Sequence, residues 1–155
     1  CIIYGRLRVP RCRVSAGGRG GPSALAEAEG IGTAVLLSLF LDRRAEADDD
    51  LPEPAALDAR RGWIGDALAL PGGEDLSDRI GSRLWLLARA KQLPETLRLA
   101  EDYAREALDW MLADGLAADV TVAAAWIALG VMELTVRITP PAGDPATFSF
   151  GLRTR

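Results

Sequence analysis

The spacing of apolar residues changes after Gly115, and this change limits the chain to folds in which helices precede a sheet. Over residues 94–114, apolar side chains recur at three- and four-residue steps, the period of a helix with one buried face. Pro94 suits the first helical position and Gly115 the position just past the end, so a helix over residues 94–114 is predicted. Its predicted buried face consists of Leu97, Ala100, Ala104, Ala107, Leu108 and Met111.

Downstream of Gly115 the apolar residues follow a two-residue period, which is typical of β-strands. Valines alternate with threonine over residues 120–122, and residues 134–138 repeat this alternation. The three alanines at 123–125 are compatible with strand or helix. We interpret them as strand because Thr and Val precede them.

The connections between these strands are marked by glycine and proline. Gly130 is the predicted turn between two antiparallel strands, residues 140–144 form a second loop, and residues 147–152 form a short last strand. Helices followed by an antiparallel β-meander indicate an α+β fold, and the chain length favours a single domain.

Two further helices are predicted in the first half of the chain. Residues 23–44 have helical periodicity, but glycines at 30 and 32 place the start of the regular helix near Ile31 or Thr33. A second helix is predicted over residues 79–92, with Asp78 as its N-cap.

Charge is distributed unevenly along the chain. Residues 1–22 carry five arginines and no acidic residue, whereas the remainder carries 13 basic and 22 acidic residues, a net charge of −9. We therefore predict two parts: residues 1–22, a basic arm that is disordered or atypical, and residues 23–155, an α+β domain. A basic arm can bind nucleic acid, but the acidic body argues against a nucleic-acid-binding core. The two cysteines, Cys1 and Cys12, favour a reducing compartment over a disulfide framework.

Histidine, which many catalytic and metal sites use, is missing from this sequence. The absence of histidine excludes Ser-His-Asp, Cys-His and histidine-based metal sites. The acidic run at 48–50 lacks the Gly and the distal Glu of an EF-hand loop. Four carboxylates near the central loop could in principle serve a glycosidase, but such groups are usually solvated or cap helices: Asp66, Glu74, Asp75 and Asp78. We predict no enzymatic activity, catalytic residue, cofactor, metal, small-molecule substrate or membrane span.

Residues 45–73 form a long irregular segment, and ordered loops of this length are usually functional. Arginine and tryptophan, which are enriched at interface hot spots, cluster within this segment and again near residue 80. The sequence therefore predicts a protein interface formed by Arg60, Arg61, Trp63, Asp66, Arg79 and Arg83. The alternative is that these arginines pair locally with acids at 48–50 or 66 and that the tryptophans fill the core. For Trp85 we favour the core.

Four ordered blocks together resemble a known family. They are residues 32–40 (GTAVLLSLF) followed by 42–45 (DRRA), residues 60–63 (RRGW) with 65–66 (GD), residues 78–87 (DRIGSRLWLL) and residues 100–108 (AEDYAREAL). In this order and spacing they are similar to the "gene product forty-six" baseplate family of Mu-like phages and prophages. The resemblance extends over about residues 24–150. Ile64 departs from it, since the family leads us to expect a second aromatic residue after Trp63.

The resemblance implies a structural subunit of a contractile phage tail baseplate that docks with other proteins during baseplate and sheath assembly. Its implied partners are wedge and hub subunits and the first sheath ring. Its implied location is the virion tail baseplate, with assembly in the bacterial host cytoplasm. Two other functions stay open at this point: a peptidoglycan-cleaving, lysozyme-like tail enzyme that uses the loop carboxylates, and a nucleic-acid-binding regulator that uses the basic arm.

Overall fold

The computed structural model describes residues 15–16, 22–52, 60, 62 and 80–154 of the 155-residue chain. None of the helices in these ranges is long and apolar enough to span a membrane. In chain order the elements are β1 (Ser15–Ala16), α1 (Pro22–Phe40), a 3₁₀ helix (Leu84–Arg89), α2 (Pro94–Ala113), β2 (Asp119–Ala128), β3 (Val131–Thr139) and β4 (Ala146–Arg153).

The strands form one antiparallel sheet in the order β1-β4-β3-β2. The three long strands are consecutive in the chain and form the predicted C-terminal meander. Gly130 makes the tight turn between β2 and β3 with a φ of +65°, a conformation that favours glycine. Helices followed by this meander confirm the predicted α+β fold class.

The core lies between one face of the sheet and the two α-helices. Alternate residues of β3 and β4 are fully or almost fully buried there: Met132, Leu134, Val136, Ile138, Phe148, Phe150 and Leu152. The predicted buried face of α2 is confirmed, with Leu97 partly buried and the other five residues buried. Helix α2 begins at Pro94 and is capped at Asp114, in agreement with the prediction.

Helix α1 begins at Pro22, so the predicted start near Ile31 or Thr33 is wrong. The prediction treats Gly30 and Gly32 as a barrier to the helix, but Gly32 has a packing role. A Cβ atom on Gly32 would lie 3.2 Å from Cε1 of Phe148. Glycine at this position therefore lets α1 approach β4 closely, and the contact offsets the low helix propensity of glycine.

The helix predicted over residues 79–92 is also corrected. The structure has only the 3₁₀ helix Leu84–Arg89 there, and residues 80–83 are not helical. Ser82 instead forms an isolated parallel β-bridge with Asp42, and its hydroxyl donates to the Leu39 carbonyl at 2.5 Å. These tertiary hydrogen bonds replace the helical ones. The predicted N-cap, Asp78, lies outside the described residues.

Two residues of the predicted basic arm belong to the sheet. Ser15 and Ala16 pair with Thr147 and Ala146 of β4. The domain boundary at residue 23 and the character of the remainder of the arm stay predictions.

Candidate protein interface

The described candidate residues lie at a junction where four parts of the chain come together. We call this region the junction: residues 41–49, Arg60, Gly62, residues 80–87, and the side of α2 that carries Tyr103 and Glu106. It connects the end of α1 to the 3₁₀ helix and to α2 through polar contacts, whereas the main core is apolar.

Backbone hydrogen bonds join residues 41–43 to Ser82 within the junction. The Arg43 amide donates to the Ser82 carbonyl at 3.0 Å, and the Ser82 amide donates to the Leu41 carbonyl at 2.9 Å. Between them, Gly81 has a φ of +107°, and a Cβ atom there would lie 2.5 Å from the Leu41 carbonyl oxygen. Only glycine permits this crossing without displacing the backbone.

Trp85 closes the junction from the side of the 3₁₀ helix. Its ring is 5% exposed and packs with Ala45 and Leu86, while its indole Nε1 donates to the Arg43 carbonyl at 2.9 Å. A buried tryptophan with a satisfied N–H contributes apolar burial and a directional hydrogen bond. The favoured core interpretation of Trp85 is therefore confirmed.

Arg60 fixes the loop that follows α1. Its guanidinium donates to the carbonyls of Glu46 and Ala47, the latter at 3.0 Å. In return the Arg60 carbonyl accepts from the Ala45 amide at 2.9 Å, and the loop is further closed by the Glu46 amide, which donates to Asp49 Oδ2 at 2.7 Å. Arg60 thus pairs locally, with backbone carbonyls of this loop.

Arg83 bridges the same loop to α2. Its Nη1 donates to both carboxylate oxygens of Asp49, at 2.9 and 3.1 Å, and its Nη2 and Nε donate to Glu106 Oε2, at 2.8 and 3.1 Å. The guanidinium lies 4.7 Å from the centre of the Tyr103 ring, within cation–π range. Arg43 adds an ion pair to Glu106 at 3.4 Å. Two guanidinium groups and two carboxylates therefore balance in charge.

The pKa values of two groups in this network, Arg83 and Tyr103, are raised for different reasons. Partial burial lowers the pKa of Arg83, but the hydrogen bonds to Glu106 and Asp49 outweigh it and raise that pKa above its ordinary value. Burial, followed by the charge of Asp49, raises the pKa of Tyr103 above its ordinary value of 10.0. Arg83 therefore stays charged, and the Tyr103 phenol stays neutral beyond the pH at which an exposed tyrosine ionises.

Two of the six predicted interface residues are described, and the structure brings them to the same loop. Arg60 holds residues 46 and 47, while Arg83 holds Asp49. Arg61, Trp63, Asp66 and Arg79 lie outside the described residues, as do the carboxylates of Glu74 and Asp75. Among the residues that the structure describes, no group of three or more His, Cys, Asp or Glu side chains could hold a metal ion.

Sequence reasoning missed two members of the network, Tyr103 and Glu106. Asp49 belongs to the acidic run at 48–50, which the alternative interpretation of the sequence offers as a partner for the predicted interface arginines, and Arg83 does pair with it. Tyr103 and Glu106 are three residues apart and share one side of α2 beside its apolar face, and this spacing was the available signal.

Comparison with known proteins decides the family. A family model described as "Phage protein GP46" matches residues 31–145. The chain belongs to the GP46 family. It is 42% identical over 119 residues to a protein of Escherichia phage Mu named "Baseplate protein gp46", an alignment that covers 76% of this chain and 75% of that protein. It is 34% identical over 130 residues to "Mu-like prophage FluMu protein gp46" of Haemophilus influenzae, which covers 84% of this chain and 83% of that protein.

The GP46 match confirms the resemblance seen in the sequence. It contains all six predicted interface residues and the whole junction, and it ends at residue 145, immediately before β4.

Proposed function

We propose that this chain is a non-catalytic structural subunit of a phage tail baseplate and that it acts by docking with other tail proteins. The observation that carries the proposal is the 42% identity, over three quarters of both chains, to a protein named for the baseplate of phage Mu. Wedge and hub subunits and the first sheath ring are the proposed partners. The virion tail baseplate is the proposed location, reached by assembly in the host cytoplasm.

The proposed docking surface is the segment 60–66 together with the junction that supports it. Arg60 is anchored to a loop that Arg83 ties to α2, so the start of the segment is held on a rigid base. Gly62 follows with a φ of +128° and an exposed position, and a Cβ there would lie 3.2 Å from Arg44 Cβ. A fixed base beneath an Arg- and Trp-bearing segment reduces the ordering cost of binding.

Because Arg60 and Arg83 are already bound within the chain, we propose that neighbouring residues make the direct contacts with partner proteins. Arg60 and Arg83 use their guanidinium groups within the chain, so we expect them to act mainly by holding the segment in place. Arg61, Trp63, Asp66 and Arg79 are the proposed contact residues. Arginine and tryptophan dominate the binding energy of typical interfaces.

The test is co-purification of tail proteins with Arg61→Ala and Trp63→Ala variants, each paired with a melting curve. We expect each variant to keep the parent melting temperature and to lose about 2 kcal/mol or more of partner binding. Arg98→Ala removes an exposed arginine from α2 and is the matched control, which should bind as the parent does.

Trp85→Ala supplies the benchmark for a core tryptophan, with an expected loss of about 3–5 kcal/mol of unfolding free energy. If Trp63→Ala loses as much, its ring belongs to the core and the docking role of Trp63 is wrong.

The competing enzymatic function has its own readout. Purified protein should release no soluble fragments from peptidoglycan. Release that disappears in Glu74→Gln or Asp75→Asn would contradict the non-catalytic proposal. Salt-dependent binding of nucleic acid that is lost on removal of residues 1–22 would instead favour the regulator.

A further inference from the structure

Strand β2 is an outer strand of the sheet that the structure describes, and its composition is typical of strands that pair with strands of other chains. It is ten residues long, and residues 120–129 contain no charged residue and no proline. Two side chains near its end are conspicuously exposed, Ile127 at 57% and Leu129 at 93%. Long, uncharged outer strands pair readily with strands of other chains, because their backbone groups are unpaired on one side.

Helix α2 lies alongside this strand and places an ion pair against its backbone. Glu101 Oε1 accepts a hydrogen bond from the Ala124 amide at 3.0 Å. Arg105 Nη2 donates to the Val122 carbonyl at 3.3 Å. The same Nη2 donates to Glu101 Oε2 at 3.1 Å, and Arg105 Nη1 donates to Asp102 at 3.0 Å, so the guanidinium is held in position from two sides.

These side-chain hydrogen bonds occupy the backbone positions that an added neighbouring strand would use. In a β-strand, the carbonyl of one residue and the amide of the second residue along point to the same side. An added strand would offer a donor to Val122 and an acceptor to Ala124. Arg105 and Glu101 supply this donor and this acceptor from side chains.

We propose that Glu101 and Arg105 form a side-chain cap that closes the β2 edge to strand addition by a second copy of this chain. The cap leaves β2 paired on both sides at its centre, although β3 is its only strand neighbour among the described residues. It allows a strand without charge over residues 120–128 to lie at the edge of the sheet without self-association before assembly.

The test compares the full chain with the double variant Glu101→Ala/Arg105→Ala. We expect the variant to self-associate with an association constant at least about tenfold above that of the parent, measured by sedimentation equilibrium. Amide hydrogen exchange at Ala124 in the dilute variant should also accelerate by roughly tenfold. Glu95→Ala/Arg98→Ala is the matched control: it removes the same charges from exposed positions of α2 and should behave as the parent does.

Two additional variants separate loss of the cap from loss of stability. Glu101→Gln keeps an oxygen that can accept from Ala124, so it should associate less than Glu101→Ala. Ala125→Lys adds a charge at an exposed position of β2 and, in the double variant, should restore the parent association constant, as edge lysines do in natural sheets. The proposal is wrong if the double variant associates no more than the parent or if Ala125→Lys fails to suppress its association.

Discussion

The C-terminal body and the junction hold their parts of the chain together in different ways. The body, residues 94–154, holds α2 on the meander through a face of apolar side chains at regular spacing. The junction joins the end of α1 to the 3₁₀ helix through carbonyl-directed hydrogen bonds and two arginines. Apolar packing tolerates small changes of angle, whereas hydrogen bonds fix direction.

This difference suits two separate tasks. Burial of alternate residues contributes most of the stability, because apolar area removed from water is the largest favourable term in folding. The junction contributes geometry: it sets where residues 60 and 62 emerge relative to α2. We therefore expect substitutions in the body to change stability most and substitutions in the junction to act more locally.

The largest effect is expected for Phe150→Ala in the body. The Phe150 ring is fully buried and packs edge-to-face on Phe40, with centroids 5.2 Å apart. Its removal should lower the free energy of unfolding by about 3–5 kcal/mol, as measured by urea denaturation. Ser149→Ala, on the opposite face of the same strand, should stay within about 0.5 kcal/mol of the parent. Equal losses in the two variants would mean that the two faces of β4 are not distinguished by burial.

The body is also the part that the sequence predicts well. The limits of α2, the three long strands and the turn at Gly130 follow from local periodicity and turn chemistry, which need no knowledge of distant residues. The alanines at 123–125 were ambiguous by themselves, and their neighbours decided them correctly as strand.

The junction could not be predicted in this way, because its structure depends on contacts between distant segments. Ser82 bonds to residues about forty positions earlier in the chain, and Arg83 meets Glu106 from the next helix. These contacts override the helical periodicity after residue 79. The start of α1 was missed for a related reason, since the value of Gly32 lies in its contact with Phe148. Residue type identifies Arg60 and Arg83, and the acids at 48–50 are offered as partners, but Glu106 and the backbone carbonyls that Arg60 contacts are not.

A smaller loss of unfolding free energy is expected for Arg83→Ala in the junction. Asp49, whose side chain is 9% exposed, would lose the guanidinium that now pairs with it. Charge-assisted hydrogen bonds of this kind contribute about 1.5–3 kcal/mol, so we expect a loss of about 2 kcal/mol in urea denaturation. Arg83→Lys should recover only part of it, because a single ammonium group cannot match the planar guanidinium between the two carboxylates.

Arg98→Ala, at an exposed position of α2, is the control for this comparison and should change the free energy of unfolding by no more than about 0.5 kcal/mol. If Arg83→Ala were as mild as Arg98→Ala, the ion pairs would contribute no net stability. The backbone hydrogen bonds alone would then define the junction.

The smallest effect is expected for Tyr103→Phe, at the point where the body and the junction meet, and it should depend on pH. Burial and the charge of Asp49 raise the pKa of Tyr103 in the folded chain above its unfolded value of 10.0. The stability linked to the neutral phenol is therefore fully present below pH 10.0 and is lost as pH rises through the higher folded pKa. Urea denaturation above pH 10.0 should show the parent losing stability more steeply than Tyr103→Phe, with similar slopes below that pH. Tyr4→Phe removes the other tyrosine and is the control. If Tyr4→Phe rather than Tyr103→Phe flattens the alkaline limb, the linkage does not arise at the junction.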